Sequence, residues 1–208
     1  MPGLQRLDAA DLPRAIDLMA RAFADDPLFR QFAPEPHVRR AVFAHMLCAS
    51  LPRLYRSGPD LEAVALWEGP GEGGSNIRRA MADLRAAVGL LRVLGVRRAY
   101  ALAGFDAWAA GVRERLTAGP HWHLVLLATD PMEQGRGHAW RLIRPMLDEA
   151  DRTGLPAYLE THNPANVGVY ERYGFTLVEE LAVPGTDLVQ RCMLRRPARA
   201  AVPAAPGA

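Results

Sequence analysis

Residues 121–149 read HWHLVLLATDPMEQGRGHAWRLIRPMLDE, and the order of elements within them decides the fold. Leu124 to Ala128 is an unbroken apolar run of strand length. Pro131 closes it, and Gln134, Gly135, Arg136, Gly137, His138 and Ala139 make a glycine-rich turn. A helix is predicted from Gly137 to Arg152, burying Trp140, Ile143, Leu147 and Ala150, with a bend at Pro145. Glycines let the turn close tightly with its N–H groups facing outward. The helix start adds unpaired N–H groups and a partial positive charge. Strand, glycine turn and helix N-terminus in this order form a docking place for a phosphate or pyrophosphate.

Two common phosphate binders do not fit. A Walker loop ends in Gly-Lys-Ser/Thr, and the chain contains no lysine. A dinucleotide fingerprint needs a small residue where Trp140 stands. Downstream, Leu155 to Thr161 reads as a further strand, followed by Asn166-x-x-x-Tyr170-x-x-x-Gly174-Phe175, a short helix ended by glycine. The pair Gln134-x-x-Gly137-x-Ala139 and Asn166-x-x-x-Tyr170-x-x-x-Gly174-Phe175 resembles, in order and spacing, the two signatures of the GNAT superfamily of N-acetyltransferases. Leu12-Pro13-Arg14-Ala15, Ala22 to Pro27, Leu159-Glu160-Thr161 and Arg191-Cys192-Met193 look like puromycin N-acetyltransferase and its relatives within it.

The resemblance implies an α/β (α+β) fold, a mixed, mostly antiparallel central sheet with helices on both faces. It implies acetyl-CoA as co-substrate, with no metal, and direct transfer to an amine in a ternary complex. Its pyrophosphate would sit on residues 134–139. Free main-chain groups at Leu127, Ala128 and Thr129 would take the pantetheine arm, with the Leu127 N–H as oxyanion donor. The family usually has an aliphatic residue where Thr129 stands, which matters little for a backbone contact. Tyr170 would be the general acid, protonated at neutral pH by its ordinary pKa. Asn166, one turn earlier on the same face, would hold the cofactor arm or else cap the helix.

The base is open between Glu160, which burial could raise toward neutrality, His123, already near the right pKa, and water. Either side chain could instead be structural, Glu160 pairing with an arginine and His123 satisfied in the core. For the acceptor, Asp25 and Asp26 could attract a cationic amine, and Phe29 and Trp67 could stack on its body. A helix boundary with core aromatics is the other reading. A small-molecule amine is expected; a protein or peptide amine, or an acyl-CoA-binding module without turnover, are the alternatives. A metal is not expected, since no third ligand type gathers around His121 and His123.

With 208 residues, half of them apolar, the chain has ample material for a core. A net charge of +2 with scattered arginines gives no nucleic-acid footprint. No apolar run reaches bilayer length and the N-terminus lacks a signal-peptide core, so a cytoplasmic protein without membrane partner is expected, monomer or homodimer. Cys48 and Cys192 read as buried small hydrophobes in a reducing compartment.

One domain is expected over 1–197, with a variable helical insertion over 77–118 on the acceptor side and a disordered Ala/Pro-rich tail over 198–208. Leu4–Leu7 is a plausible first strand. Asp8 or Asp11 could cap a helix that points Leu12, Ile16, Met19 and Phe23 at the sheet and ends at Pro27. Pro34 and Pro36 break the chain again before a helix over Val38–Leu51. Ala63–Trp67 is the clearest early strand. Ile77, Met81, Leu84, Val88, Leu91 and Leu94 form one helical stripe, with a second helix around Trp108–Leu116. Phe175–Leu181 and Leu188–Leu194 close the pattern as strands.

Overall fold

A computed structural model describes residues 4–71 and 84–198. Seven strands form one sheet: β1 (Gln5–Arg6), β2 (Leu54–Ser57), β3 (Ala63–Glu68), β4 (Trp122–Thr129), β5 (Ala157–Thr161), β6 (Thr176–Ala182) and β7 (Val189–Arg195). Their order is β1-β2-β3-β4-β5-β7-β6, and every neighbouring pair is antiparallel except β4–β5. The helices are α1 (Leu12–Ala22), α2 (Pro27–Phe32), α3 (Pro36–Ser50), α4 (Leu84–Thr117), α5 (His138–Thr153) and α6 (Val167–Glu171). Both faces of the sheet are covered, as the mixed α/β expectation required.

Strand alternation divides the core. Ala63, Ala65 and Trp67 of β3 pack with Leu142, Ile143 and Met146 of α5 on one face. Val64 and Leu66 pack with Ile16 and Met19 of α1 and with Phe43 and Leu47 of α3 on the other. In β4 the alternation slips. Leu66 faces Leu126 while Trp67 faces Leu124, so Val125 is an extra residue. Trp122 and Leu124 therefore belong to the α5 side, whereas Leu126 and Ala128, of the same parity, belong to the α1 side. A one-residue bulge has exchanged the two faces of the strand.

Several local expectations are corrected. α1 ends at Ala22, ahead of Pro27, and Pro27 opens α2, where Asp26 Oδ1 accepts the N–H groups of Leu28 and Phe29 as an N-cap. Pro36 likewise starts α3 instead of breaking the chain. Neither Asp8 nor Asp11 makes a capping bond; Asp11 pairs with Arg56 of β2 at 2.5 Å. Trp140 is not buried by α5: it is 37 % exposed and stacks on Tyr173, while Leu142, Ile143, Met146, Leu147 and Ala150 make the buried stripe. Pro145 lies inside a helix that continues without interruption. Cys48 is exposed, and only Cys192 is a core residue.

The α4 stripe does not form as one surface. Gly95 has φ 72°, outside the helical range, so the two halves of α4 present different faces. Leu94 is buried, but Val88 and Leu91 are exposed. Ile77, Met81 and residues 199–208 of the expected tail lie outside the described residues.

Trp67 is 2 % exposed among α5 side chains, so Trp67→Ala is expected to cost about 3–5 kcal/mol of folding stability. Urea denaturation of the two proteins measures it.

Candidate active site

The bulge at Val125 coincides with the end of β4–β5 pairing. Those strands pair only over Trp122–Leu124 and Ala157–Leu159. From Val125 onward β4 keeps β3 as its partner on one side and has no strand on the other. Leu127 and Thr129 thus present main-chain groups along an unpaired edge, whereas Ala128 between them directs its own toward Val64 of β3, against the expectation for that residue. A cavity of about 220 Å³ opens at this split. It is lined by Leu124 to Leu127, by Glu160 to His162 at the end of β5, and by Asn166 and Tyr170. Phe23, Asp26, Phe29 and Phe32 close it on the α2 side, and Leu102, Phe105, Asp106 and Arg113 on the α4 side.

At the other end of β4, Asp130 accepts the Met132 N–H and pairs with Arg21 at 2.6 Å, fixing the strand's exit. The glycine turn follows, with Gly135 at φ 79° and Gly137 at φ 80°. Both occupy the left-handed region that favours glycine, and a Cβ at either would meet no other atom within 4 Å. The backbone of the turn therefore faces open space where it leads into α5. Its side chains do not fill it. Arg136 pairs with Glu133 at 2.7 Å, and His138 is buried, its Nδ1 3.4 Å from Ser57 Oγ. His138 can thus offer the turn only its backbone. An open, anion-favouring cradle at a helix start is what a diphosphate requires, so the residues present fit CoA.

Charge is concentrated where β3, β4 and β5 face α4. His123 Nε2 lies 3.1 Å from Glu160 Oε2, and its Nδ1 lies 3.5 Å from Glu68 Oε2. Glu68 also accepts from Arg53 at 2.8 Å. Burial pushes the His123 pKa down, but Glu160 and Glu68 more than reverse it, so it lies above its ordinary value. Burial pushes Glu160 up, and the charge and hydrogen bond of His123, with Arg113 and His162, bring it below the usual carboxylate value. This corrects the expectation that burial would carry Glu160 toward neutrality. His162 is pushed down to about 4, chiefly by burial. Asp106, raised by burial, and Arg113 have side chains without a hydrogen-bonded partner among the described residues.

Tyr170 lies at the junction of the cavity and the unpaired edge. Its hydroxyl makes no hydrogen bond among the described residues, and its ring meets Phe175 edge-on at 6.1 Å. Burial, helped by Tyr173, Asp26 and Glu160, holds its pKa well above the ordinary value. The shift favours the protonated phenol. Asn166 does not cap α6; its Nδ2 donates to Thr161 Oγ1 at 3.2 Å, and Asn163 supplies the cap of the preceding turn.

The structure brings Tyr170, Glu160, His123, Asn166, Asp26, Phe29 and Leu127 to one cavity. It separates two others. Trp67 points to the opposite face of β3, in the α5 core, because its neighbour Glu68 takes the cavity side. Asp25 is exposed at the α1–α2 turn, away from the lining. Glu68, Asp106, Arg113 and His162 escaped sequence reading. Alternation from a buried Trp67 would have found Glu68, and the spacing of seven between Asp106 and Arg113 puts them on one helix face.

Among the described residues there is no group of side chains that could hold a metal and no helix long and apolar enough to cross a membrane. The sequence model described as the Acetyltransferase (GNAT) family matches residues 84–175, from α4 through both motifs. Over this segment the chain resembles the GNAT acetyltransferases. An uncharacterized N-acetyltransferase of Schizosaccharomyces pombe is 28% identical to it over 196 residues, covering 85% of this chain and 75% of the relative. Among solved structures, a histone acetyltransferase HPA2-related acetyltransferase from Corynebacterium glutamicum superposes with a TM-score of 0.64 at 23% identity, covering 97% of this chain and 99% of the other. A polyamine N-acetyltransferase of Drosophila melanogaster gives 0.63 at 17% identity, over 93% and 98%. These likenesses in fold extend over nearly the whole of this chain.

Two outcomes follow from this geometry. Gly137→Ala forces a side chain into φ 80°, at about 1–2 kcal/mol, and sets a methyl group where a diphosphate would approach the backbone, so CoA affinity should fall about tenfold or more by calorimetry. The Glu160–His123 pair should stabilise the fold only within a window. Its contribution is lost as pH rises through the folded His123 pKa, above 6.5, and as pH falls through the folded Glu160 pKa, below 4.5. Urea denaturation from pH 3 to 9 should show both losses in the wild type and lack the alkaline one in His123→Ala.

Proposed function

We propose that this protein transfers the acetyl group of acetyl-CoA to the amine of a small molecule by direct attack in a ternary complex. The observation that carries the reading is the convergence, on one cavity of about 220 Å³, of a phenol, an ion-paired carboxylate and the unpaired edge of β4. Acetyl-CoA would supply the activated acetyl thioester. The chain's own groups do the rest. Backbone N–H groups of the 134–139 turn hold the diphosphate end. The free edge at Leu127–Thr129 aligns the pantetheine arm, and the Leu127 N–H donates to the carbonyl oxygen, an interaction worth roughly 3 kcal/mol for one well-aimed donor.

Glu160 is the base. His123, held as its charged form between two carboxylates, positions Glu160 and keeps it ionised at neutral pH. Tyr170 donates its proton to the departing sulfur. Asp26 attracts the amine, and Phe29, stacked on Phe43 at 4.5 Å, packs against the acceptor's apolar body. The enclosing walls of α2 and α4 favour a small acceptor over a segment of polypeptide. Solved relatives in fold include an enzyme that forms N-acetylagmatine, the acetamide of a small amine.

Thiol release from acetyl-CoA, measured against a panel of small amines and short peptides, should single out small amines. Tyr170→Phe should then lower kcat on the order of 10²-fold while CoA affinity stays near that of the wild type. A wild-type rate in Tyr170→Phe removes the phenol from the reaction.

A further inference from the structure

Proton balance poses a problem that the acceptor cavity does not solve. An amine that arrives as an ammonium and leaves as an amide loses two protons. One ends on the sulfur through Tyr170, and the other must reach solvent. With cofactor and acceptor in place, the cavity through which they entered is filled.

A second cavity, of about 470 Å³, lies on the far side of the charged cluster, between the end of β3 and the C-terminus of α4. Gly69, Gly71, Thr117, Gly119 and Pro120 form its rim. Glu68 and His123, 4 % and 3 % exposed, line both cavities, whereas Glu160 lines only the first. His123 Nε2 faces Glu160 at 3.1 Å. His123 Nδ1 has no hydrogen-bond partner although buried, and points toward Glu68 across 3.5 Å. A buried ring nitrogen without a partner is costly unless water or a proton acceptor serves it.

We propose that Glu160, His123 and Glu68 form a proton relay that discharges the acceptor's proton through this second opening. The inference rests on the acetyl-transfer reading of the same site. In the step, an ammonium N–H bond breaks as a Glu160 O–H bond forms. The imidazolium gives its Nδ1 proton to Glu68, which passes it to water in the second cavity. The proton on Glu160 then restores the imidazolium after the ring turns to present its bare nitrogen. Every group facing His123 fits this use. Glu160 and Tyr158 come from β5, and Glu68, backed by Arg53, from β3. Asp106 and Arg113 come from α4, and His121 lies two residues before it in the chain. Glu114 stands at the second rim as a further acceptor.

The test uses the full chain. NMR exchange of the His123 ring Nδ1 proton with water needs no turnover: it should be the same with and without saturating CoA and amine. Exchange shut down by those ligands overturns the relay. His123→Ala should lower kcat on the order of 10²-fold, and added imidazole should restore amide formation, read by mass spectrometry, without competing with the acceptor. Rescue competitive with the amine, or no rescue in a folded variant, refutes the second opening. Glu68→Gln should make kcat depend on buffer concentration; should the loss of Arg53's partner unfold it, the imidazole experiment alone decides. A wild type that releases no thiol with any amine speaks against the acetyl-transfer reading, while the exchange measurement still reports on the opening.

Discussion

The extra residue at Val125 governs the architecture of this protein. An eight-residue strand held between partners on both sides has no free backbone to offer a ligand, because every N–H and C=O is committed to a ladder. Here the ladder to β3 absorbs one residue too many, and pairing to β5 stops at Leu124. The strand bends where its second partner departs. That split opens the cavity, frees the edge at Leu127–Thr129, and aims Glu160, at the end of β5, back across the gap at His123. The same slip turns His123 and Leu126 to the cavity side in spite of their opposite parity.

Electrostatics then sets the chemistry of the cavity. Four carboxylates, Asp26, Glu68, Asp106 and Glu160, line a space walled mostly by aromatic and aliphatic side chains. Two of them have buried cationic partners, Arg53 for Glu68 and His123 for Glu160. In such surroundings an ion pair keeps its members charged against desolvation, and breaking it leaves an uncompensated charge. The pairing raises the pKa of His123 and lowers that of Glu160, moving the two groups apart. Tyr170, without such a partner, is pushed the other way and remains protonated.

The helices close the site by different means. α2 owes its start to Asp26 and Pro27, a cap and a preset first turn, and it brings Phe29 and Phe32 over the cavity. α4 lines the cavity on both sides of its break at Gly95, with Leu94 before it and Leu102, Phe105, Asp106 and Arg113 beyond it. A glycine at φ 72° is what allows one long apolar-rich segment to serve two surfaces.

Local chemistry was legible in the chain itself. Gly135 and Gly137 announced a turn of positive φ, the apolar run before them a strand, and the spacing of Asn166, Tyr170 and Gly174 a short helix ended by glycine, because each depends on neighbours within a few residues. Most strands could be read in the same way. Trp67, His123 and Glu160 could not be placed, since which face a strand residue takes depends on register across the sheet, and a single bulge reverses it. Glu160's pKa likewise depended on a histidine 37 residues away, brought to 3.1 Å only by parallel pairing of β4 and β5. Short-range geometry is written in sequence; the facing of side chains across a cavity is settled by long-range pairing, and with it the protonation of the groups that would do the chemistry.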